Sequence, residues 1–176
     1  MGKYILSEIF TLVPKELYTP ELGKSALTEQ FGLEGEYDFL DTLHEKANAV
    51  IAYALPACSE KGTGVCSKTY PFAVRLLQET EEITGYNKVV FHYNLERKLS
   101  HIIICTGEEL KLANSFKADS FESALYFLFL SIQQLQMNPK QCIVRVCCGI
   151  TPEQETIIAR FFNGVERNNL DNLIQI

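Results

Sequence analysis

KVVFHYNLERKLSHIIICTGEELKLANS, residues 88–115, is the stretch that decides the fold. Lys88–Leu95 and Leu99–Thr106 are dense in β-branched and aromatic residues, and the polar turn between them makes a hairpin. Thr106-Gly107-Glu108 is a second tight connection in which Gly107 can take a positive φ. Glu109–Phe116 then alternates Leu110 and Leu112 with polar neighbours. The reading is a three-stranded meander.

Downstream, Asp119 or Ser120 can cap a helix, and Glu122 stands three residues after Asp119 in a capping-box-like arrangement. Phe121, Ala124, Leu125, Leu128, Ile132 and Leu135 recur at helical spacing, with Phe127, Phe129 and Leu130 widening the stripe into a core helix. Asn138-Pro139 stops it. Gln141–Cys148 reads as a central strand buried on both faces, and Thr151-Pro152-Glu153-Gln154 opens a second helix that runs to about Asn163 with Gly164 as its stop. The C-terminal half is therefore a βββαβα unit in an α/β protein.

Upstream, Ile9–Val13 reads as a strand, and Thr19-Pro20 opens a helix that ends near Phe31 at Gly32. Tyr37–Leu43 and Ala49–Leu55 form a second hairpin, with His44 in its loop, and Pro71 to about Ile83 forms a helix. Gly85-Tyr86-Asn87 marks a boundary between an N-terminal lobe, 1–86, and a C-terminal lobe, 87–176.

A net charge of -6 disfavours nucleic acid as a partner. No apolar run approaches the roughly 20 residues of a membrane span, and the first ten residues do not read as a secretory signal, so a cytoplasmic protein is expected. Of the six cysteines, Cys105, Cys142, Cys147 and Cys148 sit in or beside apolar β-like runs and read as reduced core thiols. Cys58 and Cys66 complete the set without a CxxC pair, so no metal site is nominated.

Three segments resemble blocks of a bacterial family of unknown function with an actin-like ATPase, ribonuclease H-like fold: Thr11–Ser25, Asn48–Pro56 and Lys111–Leu135. Meander, helix, strand and helix is the order in which that fold opens. The resemblance covers roughly 7–165, and it implies a further N-terminal segment in the family, which would leave the first lobe here incomplete. An exposed sheet edge is then expected to pair with a protein partner or a second copy.

The resemblance also implies ATP and Mg as cofactors in active relatives, held by a glycine-containing acidic hairpin. Asn94–Leu99 has no glycine and no Asp, so no cofactor is expected unless the phosphate loops are divergent or lie in the missing segment. The Gly-rich Ser59–Lys68 does not satisfy a P-loop pattern and reads as a surface loop. A nuclease would need a carboxylate in the first strand, where His92 and Tyr93 stand instead.

His92 and His101 could face one another across the hairpin; without a third ligand they read as lying on a solvated face opposite Val90 and Ile103 or as capping a sheet edge. Asn114-Ser115 reads as strand-end hydrogen bonding. Phe121, Tyr126, Phe127 and Phe129 read as core rather than a partner surface. No catalytic residue and no cofactor-binding residue is nominated. The expected function is a non-catalytic actin-like domain acting through protein contacts, with an ATPase as the alternative.

Overall fold

The computed structural model describes residues 3–57 and 69–175. Its strands are β1 (Lys3–Ile5), β2 (Phe10–Pro14), β3 (Tyr37–His44), β4 (Ala49–Pro56), β5 (Thr69–Pro71), β6 (Asn87–Asn94), β7 (Leu99–Thr106), β8 (Glu109–Lys117), β9 (Cys142–Val146), β10 (Gly164–Arg167) and β11 (Ile174–Gln175). Its α-helices are α1 (Pro20–Phe31), α2 (Phe72–Glu82), α3 (Phe121–Gln134) and α4 (Pro152–Phe161). The Gly-rich Ser59–Lys68, with Cys66, and also Cys58 lie outside the described residues.

The meander forms as expected. β6, β7 and β8 pair antiparallel, and the β6–β7 register sets His92 opposite His101. Both hairpin loops are four residues long and close on a residue with positive φ, Asn48 at 46° and Lys98 at 50°. Gly107 takes the positive φ that its turn demands, 62°.

β9 adds to β6 in parallel and β10 adds to β9, giving the sheet order β10-β9-β6-β7-β8. β9 is thus second from the edge rather than central. Gly164 does not stop α4: the helix ends at Phe161, and Gly164 begins the strand that covers β9. β2, β4 and β3 form a second, antiparallel sheet, and β11, β1 and β5 a small parallel one.

The helix starts follow their capping chemistry. Thr151 and Gln154 form the reciprocal capping box of α4, and the Thr19 hydroxyl accepts from Leu22 N–H ahead of Pro20 in α1. At α3 the box expected from Asp119 and Glu122 does not form. Ser120 caps the helix by accepting from Ser123 N–H, while Asp119 pairs with Lys98 at 3.0 Å.

The five-stranded sheet is covered on both faces. One face carries Val89, Phe91, Ile102, Ile104, Val144 and Val146 against Phe121, Ala124, Leu128 and Ile132 of α3 and Ile158 of α4. The other carries Val90, Ile103, Cys105 and Cys147 against Phe72, Leu76 and Leu77 of α2, with Phe10 and Ile51 from the second sheet.

Candidate functional site

In open α/β sheets a crevice forms outside the carboxyl ends of the strands. Here β6 ends at Asn94 and its parallel neighbour β9 at Val146, and a cleft of about 770 Å³ opens there. The N-termini of α3 and α4 border it through Ser120 and Gln154.

The β6–β7 turn forms one rim, and its donors are already committed. Arg97 N–H donates to Asn94 Oδ1 at 2.9 Å and Lys98 N–H to Leu95 O at 3.3 Å. The Lys98 ammonium donates to Asp119. Glu96, Asp119, Glu122 and Asp171 all line the cleft. The turn has spent two of its amides, which leaves fewer backbone donors on this rim for an anion.

Asp171 ties this cleft to the interior. Its Oδ1 lies 3.1 Å from His92 Nε2, and its Oδ2 accepts from Gly149 N–H at 2.9 Å. Burial raises the Asp171 pKa, but these two hydrogen bonds outweigh it and hold the carboxyl below its ordinary value.

His92 and His101 face each other as the register requires, with ring centroids 5.7 Å apart. They do not lie on a solvated face. Both are fully buried, on the same face as Val90 and Ile103, because Phe72 of α2 packs edge-on against His92 with ring centroids 4.7 Å apart and Phe10 stacks on His101. His101 Nε2 donates to Ser7 O at 3.4 Å, which leaves Nδ1 of each ring buried without a partner. Burial, with His92 alongside, lowers the His101 pKa to about 3. The imidazole is neutral near neutral pH.

A second buried polar group joins α2 to β9 and β10. Arg145 donates to Glu79 Oε2 at 3.0 Å, to Glu166 at 2.7 Å and to Glu82 at 3.1 Å, while Asn168 donates to Glu79 at 2.8 Å. Arg75 pairs with the other Glu79 oxygen at 2.5 Å. Glu79 is fully buried; burial raises its pKa, and the Asn168 and Arg145 hydrogen bonds bring it below the ordinary value.

The other nominated residues fall apart from this site. His44 ends β3 rather than lying in the loop; its Nδ1 accepts from Ala47 N–H and its Nε2 lies 3.7 Å from Glu81. Asn114 Oδ1 accepts from Ser115 N–H at 2.8 Å, and Asn114 lines a groove between β2 and β8. Cys147 and Cys148 enter the clusters on opposite faces of the sheet, and burial pushes both thiols up, Cys148 to about 11. Phe121 is core, Phe127 and Phe129 pack on it, and Tyr126 is exposed. Among the described residues, no group of three or more His, Cys, Asp or Glu is placed to hold a metal ion. No helix among them is long and apolar enough to cross a membrane.

Asp171, Glu79 and Arg145 escaped the sequence reading. Arg145 in the middle of the apolar CIVRV, and Glu79 on the same helical stripe as Phe72 and Leu76, were the available signals; Asp171 in NNLDNL offered none.

A family profile described as protein of unknown function (DUF3822) matches residues 4–163. Among solved structures, the chain is similar to a Bacteroides thetaiotaomicron protein with actin-like ATPase fold and unknown function. The TM-score is 0.82 at 17% identity, over 97% of this chain and 70% of that one. The chain has this fold. No curated protein matches it by sequence.

Proposed function

The chain belongs to the DUF3822 family, and from that premise we propose that it is a non-catalytic actin-like domain that works through protein contacts along the free edge of β3. The observation that carries this reading is how the sheet edges are finished. Natural edges are blunted by shortness, proline, lysine or bulges. β10 has four residues, β11 two, and β5 three with a terminal Pro71. β2 ends in Pro14, and β8 carries Lys111 and Lys117 beside a register shift at Ile104/Cys105.

Apart from the exposed charges of Asp38 and Asp41, β3 has none of these devices. It runs eight residues in unbroken register with β4, without lysine or proline, and exposes Leu40 and Leu43. Such an edge can accept a strand from a second copy or from another protein. In sedimentation velocity across a wide concentration range we expect a dimer that Leu40→Lys with Leu43→Lys abolishes. A strictly monomeric mass at high concentration would remove self-pairing from the reading.

The rival, an ATP-binding protein with divergent phosphate loops, draws on the cleft and its two helix N-termini. A thermal-shift titration with Mg-ATP separates the two. A site filled to a hundred times its dissociation constant adds about 2.7 kcal/mol, a rise in Tm of roughly 5–10 °C for a chain of this size. No rise favours the contact reading. The division into lobes 1–86 and 87–176 belongs to this proposal as the frame in which β3 is presented on one lobe and the cleft on the other.

A further inference from the structure

The cleft at the carboxyl end of β6 and β9 holds one polar group that nothing among the described residues satisfies. Tyr93 is only 8% exposed, and its ring packs against Phe121. Tyr93 lines the cleft, yet its hydroxyl makes no hydrogen bond. A buried hydroxyl without a partner is uncommon, because water must be stripped from it with no return. Asp119 and Glu122, and with opposite sign Lys98, act electrostatically on this phenol, which places it beside the rim.

The rim has one sign. Glu96, Asp119, Glu122 and Asp171 contribute carboxylates, and no lysine, arginine or histidine is among the described lining residues. Lys98 neutralises Asp119, and His92 with Gly149 N–H occupies Asp171. Glu96 makes no hydrogen bond or ion pair in the described structure, and Glu122 caps only the start of α3. Negative charge is left over beside an unpaired phenol oxygen and two apolar surfaces, Leu95 and Phe121.

These carboxylates are not clustered to chelate a metal among the described residues. They suit a cation that reaches them from a flexible stem. We propose that the cleft binds a primary alkylammonium group, its three N–H donors meeting the Tyr93 hydroxyl oxygen and the Glu96 and Glu122 carboxylates. Its methylene stem lies over Leu95 and Phe121, where a chain of that kind buries its carbons while its charge stays near water. The aromatic rings of Tyr93 and Phe121 add attraction for the cation. A free diamine or a lysine side chain of a partner polypeptide would both supply this group.

The site is independent of the β3 edge, so either proposal can fail without the other. The test is an amide NMR titration of the whole ¹⁵N-labelled chain with 1,5-diaminopentane and, separately, with lysine blocked as its N-acetyl N-methylamide. We expect saturable shifts confined to Tyr93, Ser120 and Gly149 and their neighbours. Tyr93→Phe, which keeps the ring, should weaken binding about tenfold, the worth of one hydrogen bond to a cation. Glu96→Gln with Glu122→Gln should weaken it further, and potassium chloride at matched ionic strength should give no saturable shift. A diamine bound much more tightly than the blocked lysine identifies a free amine as the natural source, and equal binding identifies a lysine side chain. Shifts spread over the whole acidic surface, no saturation into the tens of millimolar, or unchanged binding by a folded Tyr93→Phe protein would overturn the proposal.

Discussion

The two faces of the five-stranded sheet bury similar strands under different covers. Under α3 and α4 the interior is dry: Phe91, Ile102, Val144 and Val146 meet apolar side chains. Under α2 the same strands bury His92, His101 and Arg145, with Glu79 facing them from the helix. The dry face gains from area removed from water and is indifferent to pH. The polar face depends on geometry, because each charge taken from water must find its partner. That second face is also the one through which the rest of the chain, Phe10 and Ile51 included, is attached to the sheet.

The largest expected effect breaks this contrast at His101. With a folded pKa near 3 against an ordinary 6.5, the imidazole takes up its proton in the unfolded chain first, so stability falls as pH drops through that window. The slope is roughly 1.4 kcal/mol per pH unit, about 5 kcal/mol across the window. Urea denaturation of His101→Phe at a series of pH values should show the 6.5 to 4.5 segment flattened. An unchanged slope would locate the sensitivity elsewhere.

Phe91→Ala tests the dry face. It should cost about 3–5 kcal/mol in the same assay and leave the shape of the pH profile alone, since no titrating group loses its partner. Glu79→Gln should follow with about 3 kcal/mol, the low end for a broken buried pair, because Arg145 keeps Glu166. Glu79 has its pKa held below 4.5, so its contribution is present above that value and is lost as pH falls below it; the variant should lose less than wild type there. The smallest effect sharpens the comparison at its margin. Thr151→Ala removes the capping box of α4, and about 1 kcal/mol should disappear from the dry face's thermal stability.

The contrast also explains what could be read from the residues alone. The hairpins and α4 were legible because period, turn and cap are local signals. β10 and β11 were not, as four and two residues carry no periodicity and take their place by pairing with strands made earlier. Alternation correctly set His92 and His101 opposite one another, but it says nothing about what covers a face. The cover is Phe72, about 20 residues before His92, and Phe10, still farther back. Asp171 reaches His92 across 79 residues, a distance over which no spacing rule speaks. The acidic cleft was hidden for the same reason, its rim being assembled from the β6–β7 turn, two helix starts and the segment after β10.

β1 pairs with both β5 and β11, Tyr4 standing beside Tyr70 on one side and Ile174 on the other. During synthesis the first of these neighbours arrives early and the second only about 100 residues later. At about 5–20 residues per second, Tyr4 waits roughly ten to thirty seconds for Ile174. Until then the nascent protein shows the ribosome's surroundings an unfinished flank, and the late-arriving Ile174 and Gln175 act as the latch that closes it.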